Sequence, residues 1–152
     1  PSDDKRAYVT AFTGWPAEKL WGVRVLAQSL RENGGKADVV VMLPVVHAAD
    51  RAIRQVLFTE NLHTYVIPSS LPTNLVPTEL AAKVTAWALT AYQRVIFFEP
   101  STLVLRNPDA LFACEGFCIR REPRNEYDEK ILFMVKPKFF KNILVDVLKV
   151  LF

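Results

Sequence analysis

The chain has 152 residues, 51% of them hydrophobic and 23% charged, which excludes a disordered or fibrous polymer and suits one domain with a buried core rather than two. Nineteen basic residues stand against sixteen acidic, a net charge of +3. Arg120, Arg121 and Arg124 are the densest basic stretch and no stripe of cations interleaved with aromatics joins them, so nucleic-acid binding is not expected.

No apolar run reaches the length needed to span a bilayer, so no transmembrane segment is expected, and no signal-peptide pattern is recognised. The two cysteines, Cys114 and Cys118, are too few for a disulfide framework or a zinc site. They are expected as buried free thiols, which suits an intracellular, reducing compartment. A start at Pro1 is compatible with a trimmed sequence or a removed leader, an organellar transit peptide included.

In chain order, Arg6 to Phe12 is a β-branched and aromatic run that predicts a first strand. A helix is expected from about Ala17 to Asn33, with Leu20, Val23, Ala27 and Leu30 on one face and Gly34 and Gly35 ending it. Asp38 to Leu43 is continuously apolar, as in a parallel strand covered on both faces. Ala48 to Phe58 reads as one helix, Thr64 to Ile67 as a short strand, and Glu79 to Tyr92 as a helix after the loop Pro68 to Pro77. Arg94 to Phe98 is the best-marked strand, with later strands near Phe117 to Arg120 and Ile131 to Val135. A last helix follows Pro137. Its Phe139–Phe140 pair, Val145, Val150 and Phe152 make it apolar around much of its circumference, which predicts burial against partner protein subunits or a missing acceptor half.

Strands alternating with helices predict an α/β fold, a Rossmann-like three-layer domain with a mostly parallel sheet over residues 1–152. Ligands of such sheets sit beyond the carboxyl ends of the strands, which points to the loops after Phe12 and Phe98.

The stretch Lys83 to Phe112, KVTAWALTAYQRVIFFEPSTLVLRNPDALF, resembles the glycogenin-like family 8 glycosyltransferases. There a helix with K-x-x-x-W and a later tyrosine leads into an apolar strand ending in D-x-D-T-L-V-L, then N-x-D-x-L-F. Lys83, Trp87, Tyr92, Thr102 to Leu105, Asn107, Asp109, Leu111 and Phe112 match this pattern. Ala7 to Thr10 and Thr13, then Gly22, Val25, Leu26, Ser29 and Leu30, resemble the family's opening strand and first helix. The resemblance covers about residues 6–137. It implies a nucleotide-sugar-transferase fold of type A that takes a UDP-sugar with a divalent metal, usually Mn²⁺, to neutralise the diphosphate leaving group.

The same comparison implies that the site is eroded. Glu99, Pro100 and Ser101 stand where the family has the metal-holding D-x-D, so one carboxylate remains and the other is a neutral hydroxyl. The family's late metal-ligating histidine segment is absent, and this chain's two histidines, His47 and His63, both lie upstream. The donor-pocket N-S-G aligns with Glu129, Lys130 and Ile131, and Lys19 replaces the uracil-stacking tyrosine, with Trp15 or Trp21 as substitutes. The vestigial nucleotide-sugar site is thus Thr10, Thr13, Lys19, Lys83, Glu99 and Ser101, with no catalytic residue, metal or cofactor expected. Lys83 is open to a salt-bridging or packing role, Glu99 to a structural one, and Ser101 with Thr102 to closing a turn. His47 and His63 are expected at the surface or as caps.

Three functions are compatible with this pattern. One is an inactive glycosyltransferase-like domain serving as an accessory subunit of a larger assembly, a mitochondrial complex or matrix location being possible by analogy. Another is a nucleotide-sugar-binding protein. The third is an active transferase with an atypical metal site, in which Glu99 works with Lys83 or Arg106.

Overall fold

The computed structural model describes residues 5–14, 20–67, 78–115, 118–122 and 130–136. The expected helix start at Ala17 to Lys19, the Pro68 to Pro77 loop and the apolar segment after Pro137 lie outside the described residues.

Strand β1 (Arg6–Ala11) occupies the middle of a six-stranded sheet and pairs in parallel with β2 (Asp38–Leu43) and β4 (Arg94–Phe98). β3 (His63–Val66) adds in parallel beyond β2. On the other side β6 (Lys130–Lys136) runs antiparallel to β4, and β5 (Cys118–Glu122) runs antiparallel to β6 at the edge. The order β3-β2-β1-β4-β6-β5 is a parallel core extended by an antiparallel pair, as expected of a mostly parallel sheet.

Alternation along β1 divides the core. Tyr8 and Phe12 join Val23, Leu26 and Leu30 of α1 (Leu20–Glu32) and Ile53 and Leu57 of α3 (Arg51–Thr59). Ala7, Val9 and Ala11 face the other way, onto Ala82 and Ala86 of α4 (Thr78–Ala86). Helices therefore cover both faces, and the three layers follow from the continuous apolar strands. Each fully buried Leu or Ile contributes about 1.5–3 kcal/mol relative to leaving it in water.

Several local expectations are corrected. The helix expected over Ala48 to Phe58 is two, α2 (Val45–Ala49) and α3, because the Asp50 side chain accepts hydrogen bonds from the Ala52 and Ile53 amides and starts a new helix. α4 ends at Ala86, and turns carry the chain through Tyr92 to β4. His47 is neither at the surface nor a cap: it lies within α2, 1% exposed, its ring 4.9 Å from that of Phe12. His63 is exposed at the start of β3, as expected, with Nε2 4.0 Å from the Asp38 carboxylate. Cys114 and Cys118 form a disulfide rather than two free thiols, so they no longer argue for a reducing compartment.

Beyond β4 the chain runs back along α1 in a segment held by side chains. Val104 donates its amide to Ser29 Oγ at 3.1 Å, and Asn33 Nδ2 donates to the Val104 carbonyl at 2.9 Å. Asn107 donates to the carbonyl of Gly34, whose φ of +81° favours glycine at the end of α1. The same Asn107 caps a 3₁₀ helix (Pro108–Ala113) by accepting from the Asp109 amide at 2.9 Å. Tyr8 donates its hydroxyl to the Asp109 carboxylate, and Arg94 donates to the Phe112 carbonyl. Ser29, Asn107, Asp109 and Phe112, four of the positions that carry the family resemblance, thus fasten this segment to the sheet and α1.

Candidate functional site

β1 and β4 are parallel neighbours, so the loops after both strands open at the same edge of the sheet. That edge carries Thr13 after β1 and Glu99, Pro100 and Ser101 after β4. Thr102 donates its amide to the Glu99 carbonyl at 3.0 Å, so the degenerate motif closes a turn with Ser101 exposed at its tip. Gly22 of α1 packs beneath this turn, where a β-carbon would sit 2.8 Å from the Pro100 carbonyl oxygen. A glycine in the first helix is therefore what lets the helix approach the site.

Glu99 continues the face of β4 that carries Val95 and Phe97, which is the α4 side of the sheet. Lys83 rises from the last turn of α4 to meet it. Its Nζ lies 2.5 Å from Glu99 Oε1, with the side chains only 16% and 11% exposed. A charge-assisted contact this short and this sheltered is a fixed part of the site rather than a surface pair. Of the open roles for Lys83, ion pairing is the one the structure displays.

The other expected site residues do not converge on this pair. Thr10 is buried on the opposite, α1 face, and its hydroxyl has no hydrogen-bond partner among the described residues. Thr13 is partly buried in the loop beyond it. Arg106 is exposed on a segment descending towards the C-terminal end of α1, away from the strand ends. Trp21 is 62% exposed with the Arg24 guanidinium 4.7 Å from its ring centre, lining a groove on the outside of α1 with Val25 and Leu103. Lys19, Trp15 and Glu129 lie outside the described residues.

Hard divalent cations take several oxygen ligands, carboxylates first among them. Here the carboxylate at the motif's head is already neutralised by an ammonium, and the residue at its tail is an exposed hydroxyl. Among the described residues no cluster of three histidine, cysteine, aspartate or glutamate side chains is arranged to hold a metal.

No protein-family model matches the chain. Individual proteins do. It is 30% identical over 118 residues to inositol phosphorylceramide glucuronosyltransferase 1 of Arabidopsis thaliana, covering 75% of this chain and 21% of that protein. It is 33% identical over 109 residues to human glycogenin-2 and 30% identical over 125 residues to human glycogenin-1, covering 67% and 78% of this chain. The chain is a homologue of the glycogenin-like glycosyltransferases. It spans 22% of glycogenin-2 and 35% of glycogenin-1, so it corresponds to only a part of these relatives. Among solved structures, the glycosyltransferase GlyE of Streptococcus pneumoniae TIGR4 superposes with a TM-score of 0.62 at 12% identity, covering 96% of this chain and 36% of that one. The 4-diphosphocytidyl-2C-methyl-D-erythritol synthase of Anaerococcus prevotii does so with 0.60 at 9% identity, covering 97% and 75%. At such identities these superpositions establish the fold, a Rossmann-like type-A glycosyltransferase fold.

Sequence reasoning singled out both Lys83 and Glu99 but not their contact. Gly22, singled out only as a match to the family's first helix, is the floor of the Glu99–Ser101 turn; a lone glycine at a helix position that otherwise favours a side chain is the signal of such a contact. Among the described residues no helix is long and apolar enough to cross a membrane.

Proposed function

We propose that this chain is a glycosyltransferase-like domain that does not carry out metal-dependent sugar transfer and acts by binding, as an accessory part of a larger protein or assembly. The observation that carries this reading is the exposed hydroxyl of Ser101, at the tip of the turn where the family has its second metal-holding carboxylate. In metal-dependent transfer a cation held by carboxylates draws charge off the departing diphosphate. One carboxylate followed by a neutral serine supplies less negative charge to hold that cation than the family's two aspartates. The fold and the framework around the turn are kept, because Ser29, Asn107 and Asp109 have packing roles independent of chemistry.

The test is turnover. Purified protein incubated with UDP-glucose and with UDP-glucuronate, each with Mn²⁺, should release no UDP above the no-protein control. Mn²⁺-dependent release that Glu99→Ala abolishes would reverse the reading in favour of an active transferase with an atypical site. The accessory role is tested separately, by isolating the native protein from cell extract: it should migrate with other subunits, and recovery as a free monomer would contradict that role.

A further inference from the structure

We infer that the outer face of α3 docks an acidic, partly apolar segment of a partner protein, held by Arg51 and Arg54 around the exposed ring of Phe58. The inference rests on the accessory reading above and deepens it, by assigning a surface and the chemistry of what covers it.

Helical spacing makes the face. Ile53 and Leu57 turn inward and are buried, which leaves Arg51, Arg54, Gln55 and Phe58 together on the outer side of α3. These four side chains line a shallow, open depression of about 320 Å³. Phe58 is 81% exposed, the most open large hydrophobic side chain among the described residues. An apolar side chain laid over that ring would remove from water an area that folding leaves wet.

Charge selects the partner. Arg51 and Arg54 stand in the first turn of α3, where the helix end is itself partly positive, and that turn contains no acid. The carboxylate of Asp50, the N-cap, accepts from the Ala52 and Ile53 amides. Among the described residues neither arginine makes an ion pair or a hydrogen bond. The arginines of α1 differ: Arg24 pairs with Glu60 and lies over Trp21, and Arg31 donates to the carbonyls of Glu60 and Asn61. Two unpaired guanidinium groups at a positive helix end are complementary to carboxylates, which each can take through two parallel hydrogen bonds. A lipid surface fits less well, because adsorption needs a broad apolar face and α3 presents one large apolar side chain to solvent.

The experiment is fluorescence anisotropy of labelled peptides with the full chain. The acidic amphipathic peptide EELLEELLEELL should bind. KKLLKKLLKKLL, with the same apolar positions and reversed charge, should bind at least tenfold more weakly, and EESSEESSEESS at least fivefold more weakly. Arg51→Glu combined with Arg54→Glu should weaken the acidic peptide at least tenfold, and Phe58→Ser at least fivefold. The double variant should melt no lower than the wild type, since acids suit the first turn of a helix. Raising NaCl from about 50 to about 300 mM should weaken binding severalfold, a readout that needs no variant. No binding of EELLEELLEELL, equal binding of KKLLKKLLKKLL, or affinity that the variants leave unchanged would overturn the inference. Co-sedimentation with vesicles containing about 30% phosphatidylserine, lost in the double variant and without peptide binding, would overturn it in favour of a membrane surface. Neither failure would alter the turnover and co-migration results, on which the accessory reading is judged separately.

Discussion

Gly22 lies against the backbone of Pro100, so close that the missing β-carbon would meet the carbonyl oxygen at 2.8 Å and the proline β-carbon at 3.8 Å. The first helix and the turn that carries Glu99 are thus one packed unit, and the helix cannot gain a methyl group without moving the turn. Gly22→Ala should be destabilising by about 1–3 kcal/mol despite alanine's better helix propensity, because overpacking against backbone outweighs a gain of about 1 kcal/mol. Thermal melting checks this: in a domain of this size the midpoint should fall by several degrees. A midpoint unchanged or raised would mean that the helix is not held against the turn.

Ser29 does two things at once, donating to the Leu26 carbonyl at 2.8 Å and accepting from the buried Val104 amide at 3.1 Å. Ser29→Ala removes the acceptor and leaves that amide without one. The expected cost is about 1–3 kcal/mol, read from the urea midpoint. Ser29→Thr, which keeps the hydroxyl, tests whether the hydrogen bond or the small volume matters.

Tyr92 donates to Asp38 at 3.0 Å, and its hydroxyl is pushed up to about 12, first by burial and then by the hydrogen bond and charge of Asp38. A raised folded-state value means that the folded chain holds this proton more tightly than the unfolded one. The stability it contributes is complete below about pH 10 and is lost as pH rises towards 12. Urea midpoints should therefore fall across that window, and Tyr92→Phe should make the fall shallower. Burial and the Asp109 carboxylate raise Tyr8 as well, so some slope should persist in the variant.

The Cys114–Cys118 disulfide closes a loop with a sequence separation of only 4. Loop-closure entropy for so short a ring amounts to about 2 kcal/mol, the low end for disulfides. Denatured but unreduced protein should take up no iodoacetamide, and reduced protein should take up two equivalents. Cys114→Ser with Cys118→Ser should fold and melt a few degrees lower. Two thiols reacting without reduction would restore the pair of free cysteines that the sequence suggests.

Much of the fold was legible because burial writes itself into continuous apolar runs. Asp38–Leu43 and Arg94–Phe98 read as strands at the bounds the structure gives them. The position of Glu99 was legible too, since it follows Arg94–Phe98 at once, at the strand end beyond which ligands of such sheets lie. Contacts between distant side chains were not. Nothing in the spacing of Lys83 and Glu99 says that α4 aims one at the other, because that depends on which face of β4 Glu99 continues. His47 was misjudged because a polar residue near a helix start reads as a cap, whereas Phe12 at the end of β1 gives its ring an apolar neighbour. The break at Asp50 was marked by a good capping residue inside an otherwise helical pattern. The pairing of β6 rather than β5 with β4 is a matter of topology that local pattern does not encode.

The most direct test of the account is a Mn²⁺ titration followed by electron paramagnetic resonance, in which bound Mn²⁺ loses its sharp six-line signal. With Ser101 in place of the second carboxylate, the signal of wild-type protein should stay at its free-ion intensity up to millimolar concentrations, with Glu99→Gln indistinguishable. Loss of about one equivalent of signal below 1 mM in the wild type, recovered in Glu99→Gln, would contradict it and return a metal to the site.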